Sequence, residues 1–230
     1  MSGDAGRPVE VEAVLFDIDG TLIETGGAGA EAWRRAFEEL YGVPADITEY
    51  THGGMTDPEV GEVTFKAVVG REPSCRELAQ LMGRRLHRLG EAVADADGYE
   101  VLPGAEERLE TLIDEGMLLG LTTGNVEASA HIKLARARLN RFFSFGGYGS
   151  DSPDRAELTA RAVQRAGVVS GGRVAAAACI AVGDTPLDVQ AGHGAGIRVV
   201  GVASGAFTVD QLTEAGADFA IQSLSEGFPA

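Results

Sequence analysis

Hydrophobic positions fall into short runs that alternate with amphipathic stretches over most of the chain. Val11, Ala13, Val14, Leu15 and Phe16 make the first run, rich in strand formers and broken off at Asp17-Ile18-Asp19-Gly20-Thr21-Leu22. From Pro103 the alternation becomes regular. Ala105 to Glu115 has helical spacing and stops at Gly116, Met117 to Thr123 reads as a strand, Val126 to Leu139 as a helix and Phe142 to Phe145 as a short strand. Pro153 opens a helix to Ala166, Ala175 to Val182 is an alanine-rich strand, and Pro186 opens a short helix to Ala195. Ile197 to Val202 is a strand, Thr208 caps a helix ending at Gly216, and Phe219 to Ile221 closes the set. Strands alternating with helices imply right-handed crossovers, and so an α/β fold built as a Rossmann-like, doubly wound parallel sheet.

The pattern changes between about residues 25 and 98. Gly26-Gly27-Ala28-Gly29 reads as a flexible connection out of the core, followed by a helix with Trp33, Ala36, Phe37, Leu40 and Tyr41 on one stripe and Gly42 at its end. Thr51 to Met55 is a loop. Thr56 or Asp57 caps a helix running to Gly70 with Pro58 in its first turn, and Ser74 caps another carried by Leu78, Leu81, Met82, Leu86, Leu89 and Val93. This wholly helical stretch predicts an inserted helical domain at 25–98, with a core domain formed by 1–24 and 99–230. Met1 to Pro8 reads as a frayed start.

A buried strand that ends in two carboxylates needs compensation, because burying one ionised carboxylate is costly and two side by side cost more. The pair is expected at a solvated strand end around a cation, and oxygen ligands select magnesium. Ligands of a doubly wound sheet bind outside the carboxyl ends of its strands, where Asp17, Thr123 and Asp184 all fall. Three separate segments thus converge on one spot.

Composition narrows the partners. The chain has 230 residues, 44% of them hydrophobic, enough for a sizeable core. Its net charge of −16 argues against nucleic acid, whose binding draws on Lys and Arg, and favours a small substrate. An acidic surface repels anions at long range, so an anionic substrate would have to be held by the bound cation and a few local basic residues. Only two of the 19 basic residues are lysines, Lys66 and Lys133. No stretch approaches a membrane span, and Met1 to Glu10 lacks a basic region followed by an apolar one. Cys75 and Cys179 are far apart, with Cys179 inside an apolar run, so neither a disulfide framework nor a zinc site is suggested. The expectation is a cytoplasmic protein, monomeric or weakly dimeric.

The string Asp17-Ile18-Asp19-Gly20-Thr21-Leu22, read with Thr122-Thr123 and with Gly183-Asp184-Thr185-Pro186-Leu187-Asp188, closely resembles the haloacid dehalogenase-like hydrolases, in particular their phosphoglycolate phosphatase-like branch. The resemblance covers nearly the whole chain. It implies that Asp17 is the nucleophile, attacking phosphorus to form an aspartyl-phosphate, and that Asp19 gives a proton to the leaving alcohol and later takes one from water. It also implies that the Asp17 carboxylate, the Asp19 backbone carbonyl and Asp184 ligate Mg2+, with Asp188 in the outer shell or orienting the cation, or else in a plain salt bridge. Gly20 and Thr21 suit a tight turn whose N–H groups point at the phosphoryl group. Thr123 aligns with the second motif, its hydroxyl on a phosphate oxygen beside the Gly124 N–H. Thr122 is the alternative, faced away by strand alternation, and Asn125 caps the next helix or touches substrate.

One departure stands out. The family's third motif usually carries a lysine, and Ser150-Asp151-Ser152-Pro153-Asp154-Arg155 has none. Lys133, leaning back along its helix, and Arg155 are the two candidates for the missing cation, against the plainer reading that each sits in a surface ion pair. The helical insertion resembles the small cap that closes over such a site, with specificity expected from its loop, His52 to Asp57, and His52 and Thr56 as candidate residues, although His52 also suits a local cap or hydrogen bond and Thr56 and Asp57 also suit helix starts. His87, His131 and His193 show no metal spacing, and Trp33 and Phe37 read as packing residues. The function expected is a Mg2+-dependent phosphatase acting on a small phosphorylated metabolite, phosphoglycolate-like or a sugar phosphate. The alternatives are a sugar phosphomutase of the same fold, for which Met55-Thr56-Asp57 offers no cation, and a non-catalytic phospholigand- or protein-binding member, whose signature would be loss of Asp17 or Asp19.

Overall fold

A computed structural model describes residues 11–228; the frayed start expected over Met1 to Pro8 lies outside them. In chain order the elements are β1 (Ala13–Phe16), β2 (Ile23–Thr25), α1 (Ala28–Tyr41), α2 (Asp57–Val69), α3 (Cys75–Asp95), β3 (Tyr99–Val101), α4 (Ala105–Asp114) and β4 (Leu118–Thr123). They continue with α5 (Glu127–Ala135), β5 (Gly146–Tyr148), α6 (Arg155–Val169), β6 (Cys179–Gly183), α7 (Pro186–Gly194), β7 (Arg198–Val202), α8 (Val209–Glu214) and β8 (Phe219–Ile221). Six strands form one sheet in the order β5-β4-β1-β6-β7-β8, every pair parallel. The fold is α/β and Rossmann-like, with β1 at the switch point between β4 and β6.

Alternation along β1 explains why both faces are covered. Val14 and Phe16 point to the layer of α4 and α5, packing with Leu109, Leu121, Ala130 and Leu134. Ala13 and Leu15 point to the opposite layer, with Ala162 and Ala166 of α6 and Val189 of α7. All four β1 residues are fully buried, and each large side chain among them contributes about 2–3 kcal/mol of transfer free energy. This rigid strand carries Asp17.

The regular elements between β2 and β3 are all helical: α1, a 3₁₀ turn at Ile47–Glu49, α2 and α3, joined by loops. This segment has its own apolar cluster of Trp33, Phe37, Phe65 and Leu81. Capping boxes start α2 at Thr56 and α3 at Ser74. The helix α1 begins earlier than the glycine-rich sequence suggests: Gly27 is its N-cap, and Ala28 is already buried against Leu89 and Val93 of α3. The antiparallel pair β2–β3, only three residues each, joins this segment to the sheet; strands so short carry no periodicity to detect.

Three other expected boundaries move. The helix α5 ends at Ala135, four residues before Leu139, and Arg138, in the left-handed region at φ 59°, turns the chain so that Leu139 is buried in the core. The short strand expected at Phe142 to Phe145 lies instead at β5, because Phe143 packs in the core beside Phe16 while Gly147 sits where a Cβ would collide with the Leu158 carbonyl of α6. The alanine run before β6 forms a 3₁₀ turn at Ala176–Ala178, and pairing begins at Cys179, opposite Ala13. Cys179 is buried and Cys75 exposed. Among the described residues no helix is long and apolar enough to cross a membrane.

Candidate active site

Asp17 follows β1, Thr123 ends β4, and Asp184 follows β6, so the parallel register brings them to one rim of the sheet. They border a cavity of about 470 Å³ between that rim and the helical segment, together with Asp19, Gly124, Lys133 and Arg155. One oxygen each of Asp17, Asp184 and Asp188 lies within 4.8 Å of the others, and all three residues are buried.

These carboxylates crowd one another. Burial, with the charge of Asp188 added, pushes the Asp17 carboxyl up to about 7 against the opposing pull of Arg155. Burial and the charges of Asp17 and Asp188 push Asp184 up to about 8. Asp188 is already engaged: Oδ2 accepts from the Thr185 backbone N–H at 3.0 Å and its hydroxyl at 2.6 Å, and Oδ1 pairs with Arg155. Asp184 gives Oδ1 to the Thr21 hydroxyl at 3.1 Å. Gly20, at φ 77°, and Gly205 stand so close that a Cβ on either would collide with the Asp184 carboxylate. Hard oxygen donors in a space kept open by two glycines fit Mg2+.

Asp19 has a different environment. Lys133 Nζ donates to its Oδ2 at 2.6 Å and Asn125 Nδ2 donates to the same oxygen at 2.8 Å. Burial works against ionisation, but the Lys133 charge and these hydrogen bonds outweigh it and hold the carboxyl below its ordinary range. The two acids of the first motif are therefore driven apart in acidity by their neighbours.

Thr123 accepts at Oγ1 from the Asn125 backbone N–H at 3.3 Å and from Asn125 Nδ2 at 2.9 Å, which leaves its own O–H to donate. Thr122 bonds Thr159 of α6 at 2.7 Å, on the far side of the strand. Both candidate cations reach the cavity, Lys133 on Asp19 and Arg155 between Asp188 and the Gly54 carbonyl, the latter at 3.0 Å.

Four expected contacts are corrected. The Gly20 N–H donates to Ile23 O at 3.0 Å and the Thr21 N–H to Ile18 O at 3.3 Å, so the turn itself consumes both groups, and the Thr21 hydroxyl serves Asp184. The Thr56 side chain is buried in its capping box with Glu59. His52 is exposed, its Nδ1 3.1 Å from the Gly53 carbonyl oxygen, and borders a separate cavity outside Arg155. Gly53, Gly54 and Met55 face the carboxylates instead.

Two groups at the site had no local signal. Ser204, after β7, donates to the Gly20 carbonyl at 2.7 Å and so pins the acidic turn from a fourth strand end. Arg85 of α3 is buried, donates to Asp57 Oδ2 at 2.8 Å and to Ser129, and lies 5.1 Å over the Trp33 ring. Asp57 Oδ2 also accepts the Val126 N–H at 2.9 Å, and the Asp57 N–H donates to Gly124 O at 2.8 Å, so α2 is tied to the loop after β4.

A parallel α/β sheet with three buried carboxylates clustered at its rim and a helical segment facing them suits a hydrolase of the phosphoryl-transfer type. Residues 11–196 match the haloacid dehalogenase-like hydrolases, and the chain belongs to that family. It is 30% identical to a phosphoglycolate phosphatase of Cereibacter sphaeroides over 80% of this chain and 82% of that one. It is 28% identical to a phosphorylated carbohydrates phosphatase of Thermotoga maritima, over 90% and 92%. A solved putative β-phosphoglucomutase of Thermotoga maritima superposes with a TM-score of 0.61 at 26% identity, covering 93% and 95%.

Proposed function

We propose that this protein is a Mg2+-dependent phosphatase hydrolysing a small phosphomonoester through an aspartyl-phosphate on Asp17. The observation that carries the reading is the meeting of Asp17, Asp184 and Asp188 within 4.8 Å, with Asp19 separately held by Lys133 and Asn125 in the same cavity. The similarity to a phosphoglycolate phosphatase of Cereibacter and a phosphorylated carbohydrates phosphatase of Thermotoga supports the substrate class.

Asp17 and Asp184, with the Asp19 backbone carbonyl, would hold the ion, and Asp188 would steady it from behind through Thr185 and Arg155. When bound, the ion neutralises phosphoryl oxygens and the crowded carboxylates. An Asp17 oxygen attacks phosphorus as the P–O bond to the leaving alcohol breaks; Asp19, held ionised by Lys133 in the free protein, first takes up a proton from solvent, which the incoming phosphoryl charge favours, and passes it to the alcohol. Asp19 then accepts a proton from the water that attacks the same phosphorus, releasing phosphate and restoring the Asp17 carboxylate. The Thr123 hydroxyl and Gly124 N–H bind phosphoryl oxygens, and Arg155 and Lys133 share the charge a motif lysine carries in relatives. Residues 25–98 act as a cap that excludes water and limits the leaving group.

Hydrolysis of p-nitrophenyl phosphate, with and without magnesium, by the native protein and by Asp17→Asn tests this reading. Turnover that needs neither the ion nor Asp17 would overturn it.

A further inference from the structure

Three cations border the cavity, and each is matched to a carboxylate. Arg85 pairs with Asp57 at 2.8 Å, Lys133 with Asp19 at 2.6 Å, and Arg155 with Asp188. Three acids of the lining have no such partner: Asp17, Asp184 and, at the mouth, the exposed Glu24. A divalent ion uses its charge on the first two. The phosphoryl dianion must then rely on that ion, on the shared cations and on N–H and O–H donors. Among the described residues no lining cation is left to balance a further negative charge, and Glu24 repels one as it enters.

The opposite wall has another character. Trp33, Ile47, Met55 and Val60, with the backbone at Gly53 and Gly54, face the cavity from the helical segment. Arg85 is the one cation that this wall contributes among the described residues. It is only 2% exposed in its side chain, locked on Asp57 and Ser129 and laid over Trp33. Its Nε is buried without a partner, so the group is held by packing rather than poised in solvent. A volume of about 470 Å³ lies within the range that accepts whole small metabolites.

From this charge matching, and resting on the phosphatase reading above, we infer that the substrate is a phosphomonoester of an uncharged alcohol, such as a polyol or sugar, and that compounds bearing a carboxylate or a second phosphate are discriminated against. The wall offers apolar surface and backbone groups to a neutral leaving group, and no counter-charge to an acidic one. A mutase, which must hold a sugar phosphate by either end, lacks its second anion site here for the same reason.

The test compares glycerol 1-phosphate with 3-phosphoglycerate, which share a three-carbon skeleton and differ by the carboxylate, with p-nitrophenyl phosphate as the baseline and magnesium held constant. The expected kcat/KM ratio favours the glycerol compound by about 10²-fold, the factor one unmatched like charge about 6 Å away gives at an effective dielectric of about 20. Calorimetric titration of Asp17→Asn with both compounds reads the same preference without turnover. Asp57→Asn, which leaves the Arg85 charge unmatched, is expected to shift the ratio towards 3-phosphoglycerate by about tenfold; its melting curve and p-nitrophenyl phosphate turnover report whether it has folded. Equal or better use of 3-phosphoglycerate by the native protein, alongside hydrolysis of the aryl ester, overturns the charge argument and leaves the phosphatase reading standing. Failure to hydrolyse any of the three overturns both.

Discussion

Lys133 Nζ and Asn125 Nδ2 converge on one oxygen of Asp19, Oδ2, at 2.6 and 2.8 Å. The carboxylate is thereby oriented by two donors from the β4–α5 segment, and its second oxygen is the one available to a leaving group. Burial alone would raise the pKa of Asp19, and the Lys133 charge lowers it.

Lys133→Gln is therefore expected to cut kcat by about 10–10²-fold, and Asp19→Asn by about 10²–10⁴-fold, since proton transfer by a positioned group is worth that much. Lys133→Arg should recover part of the loss by restoring the charge. Steady-state kinetics of the three variants on one aryl phosphate check this; a Lys133→Gln enzyme as fast as the native one would remove Lys133 from the mechanism.

Metal dependence should itself depend on pH. In the unfolded chain Asp17 and Asp184 ionise near 3.8, whereas in the metal-free fold they are raised to about 7 and about 8. Between these limits the native state holds more protons than the unfolded one, so the contribution of both groups to stability is present at low pH and is lost as pH rises. A cation must displace those protons, so its hold on the fold strengthens through pH 7 and 8. Melting curves with and without magnesium chloride should show a larger gain in Tm at pH 8 than at pH 6, and Asp184→Asn should shrink the gain at pH 8. Identical gains at both pH values would argue that the ion binds elsewhere.

The glycines around Asp184 give a geometric test. Gly205→Ala introduces only a collision with the carboxylate, whereas Gly20→Ala adds the strain of an alanine at φ 77°. Both are expected to weaken magnesium binding, and Gly20→Ala to destabilise the fold by about 1–3 kcal/mol as well. Metal titration and urea unfolding separate the two effects. Unchanged magnesium affinity in Gly205→Ala would show that Asp184 can move without harm to the cradle.

How much of this could be read from the sequence follows from where each signal sits. Asp17, Thr123 and Asp184 each end an apolar run, so a parallel sheet alone predicts their meeting. Lys133 could be anticipated from the lean of helical side chains, although the group it reaches is Asp19. Arg85 was hidden: it lies 28 residues from Asp57 and 44 from Ser129, on a helix whose stripe reads as ordinary packing. The N–H groups of Gly20 and Thr21 were misassigned because the turn's internal hydrogen bonds to Ile23 and Ile18 depend on how tightly the chain reverses, which composition does not reveal. The β5 strand was displaced for a similar reason, since glycines needed for the close approach of α6 look like loop residues in isolation.

The Arg85–Asp57 pair joins α3 to the start of α2, and the same Asp57 oxygen takes the Val126 N–H of the loop after β4. Both side chains are nearly inaccessible, at 2% and 9%. Removing one partner from such a pair strands the other charge, so Asp57→Ala is expected to cost about 3–5 kcal/mol in urea unfolding. In an Arg85→Met background the Asp57 charge is the one left stranded, so the same substitution also removes an unpaired buried carboxylate and should cost no more than about 1 kcal/mol, the lost bond to Val126. The difference between the two costs is the coupling energy of the pair, and the Val126 bond cancels from it because both backgrounds lose that bond alike. A coupling energy near zero would mean that Arg85 is held by Trp33 and Ser129 alone, and that the charge of Asp57 is free to act on the cavity rather than on its neighbour.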